Sequence, residues 1–110
     1  MTDDLELRTY HTLPGRMPAQ LKRFEARTLK IWERLGIRQL GFWRTTVGPS
    51  HLELVYILVW DSLAERERLW DAFVADPEWQ EAAAASEVDG PILANITNSF
   101  MSPTGFSALQ

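Results

Sequence analysis

Three residues near the start of the chain have the types and the spacing that proton-transfer chemistry requires. Glu6, Arg8 and Tyr10 alternate within residues 5–12, and side chains two apart on a strand project from one face. Such residues lie roughly 6–7 Å apart at Cα, so their side chains can meet. A carboxylate can serve there as a general base, a guanidinium can hold an anionic oxygen, and a phenol can donate a hydrogen bond. These three residues, and Tyr56 on a later strand, are therefore our candidate catalytic residues.

Each candidate also has a structural interpretation. Glu6 and Arg8 could form a half-buried ion pair that fixes the register of the strand or the seam of a dimer. For Glu6 this interpretation outweighs the catalytic one, because structural ion pairs also perturb pKa values. For Arg8 the two are balanced, since a guanidinium aimed into an aromatic cavity suits carboxylate or phenolate binding. Tyr10 and Tyr56 could each be a wall residue whose hydroxyl group is already satisfied.

Other kinds of site find no support in the sequence. The chain has no cysteine, which excludes disulfides and thiolate ligands. Its two histidines, His11 and His51, have no carboxylate at metal-ligand spacing, so neither a zinc nor a haem site is expected. Glycine-rich phosphate loops and the motifs of a catalytic triad are absent as well. The sequence therefore predicts no metal and no cofactor.

Composition narrows the class of protein. At 110 residues the chain is expected to form one domain, spanning residues 1–110. A net charge of −4 argues against a nucleic-acid partner. No apolar run approaches the roughly 20 residues of a membrane-spanning helix, so no membrane partner is expected. The first residues include Asp3 and Asp4 and lack an apolar signal segment, and a cytoplasmic location is predicted by elimination.

Hydrophobic periodicity predicts the elements that must position the candidates. Apolar residues at three- and four-residue spacing predict one helix that ends before Gly36. A second helix begins after Ser62, where Ser62 and Glu65 form a capping box, and it restarts at Asp76 and Pro77. Alternating or continuous apolar runs predict strands at residues 5–12, 37–47, 52–60 and 92–101.

The element order βαββαβ predicts an α+β, ferredoxin-like fold, with a four-stranded antiparallel sheet and two helices on one face. The uniformly aliphatic side of the third strand, formed by Val55, Ile57 and Val59, is assigned to the helices. The other face is then expected to be uncovered and to line a cavity. Its predicted residues are Glu6, Arg8, Tyr10, Leu54, Tyr56, Leu58, Trp60, Asn95, Thr97 and Ser99.

An uncovered face of this kind requires a partner. Large apolar residues in a bare patch favour association, and a second copy would give a symmetric homodimer. Trp60 and Trp43 could stack on a planar ligand. Both phases of the second strand carry a large aromatic residue, Phe42 or Trp43, so the sequence does not decide which face of the sheet Trp43 occupies. Leu58 would add to the wall. The polar row at residues 95, 97 and 99 could orient a ligand, or its members could bond one another and water.

Several short segments, taken in their order along the chain, resemble the NIPSNAP family. They are Glu6-Leu7-Arg8-Thr9-Tyr10, Gly41-Phe42-Trp43, Gly48-Pro49, Asp61-Ser62-Leu63-Ala64-Glu65-Arg66, Asp76-Pro77-Glu78-Trp79 and Pro103-Thr104-Gly105-Phe106-Ser107. The resemblance implies a dimeric α/β barrel of the ferredoxin-like superfamily. Two features depart from the family pattern: Tyr56 replaces its usual histidine, and the last strand lacks the Glu and Arg that often stand near Thr97 and Ser99.

Two functions follow from this resemblance. The first is a homodimeric small-molecule-binding barrel for a planar, partly apolar, anionic or enolisable metabolite. The enzymes that the resemblance implies for such a barrel are cofactor-independent monooxygenases, cyclases and isomerases. Glu6 would then be the base and Arg8 the anion stabiliser, while Tyr10 and Tyr56 would handle protons. The second is a non-catalytic binding or interaction module. An open pocket at these residues would favour the first function, and a cavity filled by its own apolar side chains the second.

Overall fold

The computed structural model describes residues 4–109, so the ends of the domain expected over residues 1–110 lie outside the described residues. The elements are β1 (Asp4–Thr12), α1 (Met17–Arg23), a π-helical segment (Phe24–Thr28), α2 (Leu29–Leu35), β2 (Arg38–Arg44), β3 (Glu53–Trp60), α3 (Leu63–Ala75), α4 (Pro77–Ser86) and β4 (Leu93–Met101). The strands form one sheet in the order β2-β3-β1-β4, and all neighbours are antiparallel. This confirms the α+β, ferredoxin-like fold.

The helix boundaries follow the predicted signals. Gly36 ends α2 in the left-handed conformation, with φ of 86°, which glycine adopts without strain. At the start of α3, the Ser62 hydroxyl accepts from the Glu65 amide at 3.1 Å. Glu65 in turn accepts from the amide of Asp61, one residue earlier than a capping box requires. The Asp76 carboxylate begins α4 by accepting from two main-chain amides.

The helices cover the face of the sheet that carries the alternating charged and aromatic residues. Tyr56, Leu58 and Trp60 have no exposed surface. The rings of Phe24 and Trp32, from the first helical stretch, each lie 5.6 Å from the ring of Tyr56. The prediction that this face is uncovered is therefore wrong. The residues that it concerns, all buried, are Glu6, Arg8, Tyr10, Leu54, Tyr56, Leu58 and Trp60.

The opposite face of the sheet, called the open face below, is only half-buried along β1 and β3. Its central residues are Leu5, Leu7, Thr9, Gly41, Trp43, Val55, Ile57, Val59, Thr97, Ser99 and Met101. The assignment of Val55, Ile57 and Val59 to the helices is wrong. The helices present aromatic rings, of which Trp32 packs against Tyr56 on β3 and Trp70 lies over the guanidinium of Arg8 on β1.

The pairing register places four predicted ligand-binding residues on the open face. Ser99 stands opposite Leu7, and Trp43 stands opposite Val55. The prediction that the polar row of β4 shares a face with Glu6 is therefore wrong. In the observed register, these residues stand opposite the β1 residues that face away from the helices. The four residues on the open face are Trp43, Asn95, Thr97 and Ser99. Within residues 4–109, no helix combines the length and the apolar character needed to cross a bilayer.

Candidate functional site

Glu6 is the centre of a buried polar cluster between the sheet and α3. Its side chain has no exposed surface. Oε1 accepts from Trp60 Nε1 at 3.0 Å and from Arg66 Nε at 3.2 Å. Oε2 accepts from Arg8 Nη1 and Asn98 Nδ2, both at 2.9 Å, and from Arg66 Nη2 at 3.3 Å. Five donors from four residues therefore satisfy both carboxylate oxygens.

This environment keeps the Glu6 carboxylate ionised. Burial alone would raise its pKa, but hydrogen bonds from Asn98, Arg66 and Arg8, together with the charge of Arg8, outweigh burial and lower the pKa overall. A carboxylate with a lowered pKa and occupied acceptor sites is a weak general base. The geometry therefore favours a role in which Glu6 positions the four residues that donate to it, and its assignment as a base stays a prediction.

Arg8 lies under α3, with 7% of its side chain exposed. Its Nε donates to the Tyr56 hydroxyl at 2.7 Å and its Nη1 to Glu6. The guanidinium carbon lies 4.4 Å from the centre of the Trp70 ring and 5.7 Å from that of Tyr10. Burial lowers the pKa of Arg8, but Tyr56, Tyr10 and Glu6 raise it overall. Arg8 is therefore a permanent cation held between aromatic rings.

The two predicted tyrosines are both inside this layer. Burial raises the pKa of the Tyr56 hydroxyl well above its ordinary value, and Tyr10 raises it further. Tyr56 therefore stays a neutral phenol at neutral pH and accepts the hydrogen bond from Arg8. The rings of Tyr10 and Tyr56 meet edge to face, with centroids 5.2 Å apart. Neither ring lines an open pocket, since both residues are buried.

The structure brings together six of the predicted residues and separates four. Glu6, Arg8, Tyr10 and Tyr56 share the helix-covered face with Leu58 and Trp60, the last two fully buried. The four on the open face are those given above. The cluster is filled by its own side chains, which is the condition that favours a non-catalytic module. Within residues 4–109, no group of three or more acidic or histidine residues is placed to share a metal ion.

Sequence reasoning missed Arg66, Trp70, Asn98 and Arg23. Arg66 and Trp70 are four apart on α3, and this spacing puts two side chains on one helix face. Asn98 lies opposite Arg8 in the sheet, which only the register reveals. Arg23 lies on the same helix turn as the buried Phe24, and this neighbourhood could have indicated its burial.

One edge of the cluster reaches the surface. Ile96 and Phe100 stand opposite Tyr10 and Glu6 in the register, so they lie on the helix-covered face. Both are exposed, at 42% and 45%. The guanidinium of Arg66 lies 5.4 Å from the centre of the Phe100 ring. Ile96, Asn98 and Phe100, called the β4 strip below, thus offer an apolar surface beside the buried cations.

The pKa of Glu6 is expected to lie below the ordinary value for a glutamate. Because its folded pKa lies below the ordinary value of 4.5, the stability it contributes is fully present above that pH. This stability is lost as pH falls through the folded pKa. Carbon-detected NMR of the side-chain carboxyls measures the midpoint directly. Asn98→Ala should raise the midpoint, and a wild-type midpoint at or above 4.5 would contradict this geometry.

The comparison with known proteins agrees with the fold. The model of the NIPSNAP family matches residues 5–108, which confirms the resemblance drawn from the sequence. No curated protein sequence matches the chain.

Three solved structures show how far the likeness extends. An uncharacterized NIPSNAP-like domain protein from Burkholderia xenovorans is 27% identical, with a TM-score of 0.83 over 96% of this chain and 88% of that one. A NIPSNAP family protein with unknown function from Agrobacterium tumefaciens is 30% identical, with a TM-score of 0.83 over 98% and 94%. A monooxygenase of Streptomyces coelicolor, in complex with nanaomycin D, is 21% identical, with a TM-score of 0.61 over 94% and 89%; it shares the fold alone.

Proposed function

The chain belongs to the NIPSNAP family, and from that premise we propose that it is a homodimeric module that binds a small, planar, anionic molecule without transforming it. The observation that carries this proposal is an excess of positive charge beside an exposed apolar strip. Arg8 and Arg66 share the single carboxylate of Glu6. Within the described residues the two guanidinium groups pair with this carboxylate alone, so one positive charge is left over, and an anionic ligand that reaches the partly exposed Arg66 would compensate it.

The β4 strip supports a planar, partly apolar ligand. The body of such a molecule would lie on Ile96 and Phe100, which together present an exposed apolar surface. Its carboxylate or phenolate would point toward Arg66, which is accessible at 24% of its side chain. Asn98 lies between them in sequence and donates to Glu6, so its amide group would flank the anionic end. Aromatic and guanidinium groups together are a common setting for such ligands.

Binding is proposed rather than turnover because of the state of Glu6. To act as a base, the carboxylate would have to release several of its five hydrogen bonds. The cofactor-independent monooxygenase, cyclase or isomerase thus stays an untested prediction. We likewise propose a cytoplasmic location and no nucleic-acid or membrane partner.

The open face supports the homodimer. Its central residues carry no charge, and at its border Glu53 lies 3.9 Å from the His11 ring and Arg38 pairs with Asp61 at 2.9 Å. Trp43 lies over Gly41, where a Cβ atom would come within 2.8 Å of its ring, and it is half-exposed. An uncharged face of this kind suits the same face of a second copy better than it suits a charged partner.

A matched pair of probes tests the ligand proposal. We expect 2-naphthoate to bind and the isosteric 2-naphthamide to bind at least about tenfold more weakly, since a charge-assisted contact contributes about 1.5–3 kcal/mol. Isothermal calorimetry gives the affinities, and the amide resonance of Phe100 reports the site. Arg66→Gln should remove the preference, and Arg68→Gln, exposed on the same helix, should preserve it. Equal affinity for the two probes in the wild type would refute the proposal.

A further inference from the structure

A second pocket lies away from the β4 strip, between α4 and the helical stretch formed by α1 and the π-helical segment. Its volume is about 370 Å³, within the range of small-molecule sites. Small side chains leave this room. Ala19 and Ala26 line one wall, and Ala82 and Ala85 line the other. These two walls of the pocket are therefore apolar.

Four cationic residues surround this space: Arg16, Lys22, Arg23 and Arg27. Arg16 donates to the main-chain carbonyl oxygens of Ser86 and Gly90 at 3.1 and 3.0 Å, so its hydrogen bonds go to neutral acceptors. The Ser86 carbonyl belongs to the last residue of α4 and the Gly90 carbonyl lies just beyond it, at a helix C-terminus where a cation is favoured. Arg16 is thereby held in place without losing its charge to a carboxylate.

Arg23 is the most informative of the four. Only 7% of it is exposed. Its Nη1 donates to the Ser86 hydroxyl at 3.2 Å and its Nη2 to Gln20 Oε1 at 3.1 Å, while its buried Nε has no hydrogen-bond partner. Among the described residues no carboxylate lies within ion-pair distance of it. A buried guanidinium with an unused donor and no counter-ion is costly unless an anion compensates it.

The acidic residues near the pocket do not balance these charges. Asp89 is the one acidic residue among those that line the pocket within residues 4–109. Glu81 is engaged by Arg27 at 3.7 Å. Glu87 acts on Arg23 electrostatically but forms no ion pair with it in the described part of the chain. The cations therefore exceed the available carboxylates.

We propose that this pocket between α1 and α4 is a second binding site, which takes the phosphate group of a small phosphomonoester. A dianion with three acceptor oxygens matches several donors on different sides of the pocket. The alanine walls would hold a short apolar body. This site shares no residue with the β4 strip, so the inference goes beyond the function proposed above and does not depend on it.

Phenyl phosphate is the probe for this site, with phenyl sulfate as its singly charged counterpart. We expect phenyl phosphate to bind more tightly than phenyl sulfate and to shift the NMR signals of Ala82, Ala85 and Ser86. Lys22→Gln should weaken binding about three- to tenfold, because it removes one charged donor. Lys30→Gln is the matched control, since Lys30 is exposed on α2 and lies outside this pocket.

Ala85→Phe supplies a steric test, because Ala85 is exposed and its enlargement fills the pocket from the wall. We expect this variant to lose phenyl phosphate binding and to keep 2-naphthoate binding at the β4 strip. The inference is overturned if the shifts fall elsewhere, if Lys22→Gln and Lys30→Gln weaken binding equally, or if Ala85→Phe binds phenyl phosphate like the wild type. Because the two probes are read separately, failure of one site leaves the other measurable.

Discussion

Replacing Glu6 with glutamine is expected to lower the free energy of unfolding by about 3–5 kcal/mol, the usual cost of removing one partner from a buried charge pair. The glutamine keeps the volume of the side chain but loses its charge and one acceptor oxygen. Arg8, with 7% of its side chain exposed, would then stay buried without a counter-ion. Trp60 Nε1 and Asn98 Nδ2 would compete for the single remaining oxygen or face an amide donor.

Urea denaturation at a fixed protein concentration measures this loss, with tryptophan fluorescence and circular dichroism as probes. Glu53→Gln is the matched control: Glu53 lies on β3 in the same sheet, with 21% of its side chain exposed and a 3.9 Å contact to His11. We expect that change to cost less than about 1 kcal/mol. If both substitutions cost the same, the cluster does not stabilise the fold in the way that its geometry implies.

A second substitution separates charge coupling from simple loss of packing. Arg66→Gln alone should lower the free energy of unfolding by less than Glu6→Gln does. Arg66 is partly exposed, so water can take over some of its hydrogen bonds to Glu6. In the double variant the two losses should fall short of their sum, since each single change already breaks the contact between Arg66 and Glu6. Additive losses would place the two side chains in independent environments, contrary to the 3.2 Å contact between them.

The alternation of β1 was enough to predict which of its residues act together. Glu6, Arg8 and Tyr10 are separated by two residues, and no tertiary contact can move such side chains to different faces of a regular strand. Their shared face was therefore predictable. Whether helices or solvent cover that face is a different question, and it depends on residues far away in the sequence.

β3 shows why the covered face was predicted wrongly. Both of its faces are apolar, with Tyr56 and Leu58 on one and Val55 and Ile57 on the other. Alternation of polarity therefore cannot show which face of β3 the helices cover. The uniformly aliphatic side looked better suited to helices. Trp32, however, brings a large ring that packs against Tyr56. Aromatic partners on the helices decided the phase, and no local pattern on β3 contains them.

The face of β4 was predicted wrongly for a related reason. Polar residues occupy both of its phases, so Asn95 and Thr97 looked as suitable as Asn98 for the face of Glu6. The uninterrupted register between Leu5 and His11 places Asn98 opposite Arg8 and Thr97 opposite Thr9, and the pairing shifts only beyond His11. Register of this kind arises from the whole pairing, which explains why Asn98 was missed.

Replacing Ile57 with lysine is expected to convert the proposed homodimer to a monomer. Ile57 lies on the central strand β3 at the middle of the open face, and it is half-buried before any partner is added. A second sheet laid on this face would bury the new ammonium group without a counter-ion, because the central residues of the face are uncharged. Burying an unpaired charge costs several kcal/mol, so the dissociation constant should rise by about a thousandfold or more.

Light scattering coupled to size exclusion chromatography measures the molar mass directly. The wild type should have twice the 12.6 kDa mass of one chain, and Ile57→Lys should have the mass of one chain. Leu63→Lys is the matched control, since Leu63 is an exposed leucine on α3, on the helical side of the sheet. It should remain dimeric. A monomeric wild type, or a dimer that survives Ile57→Lys with its circular dichroism unchanged, would mean that the open face is not the dimer interface.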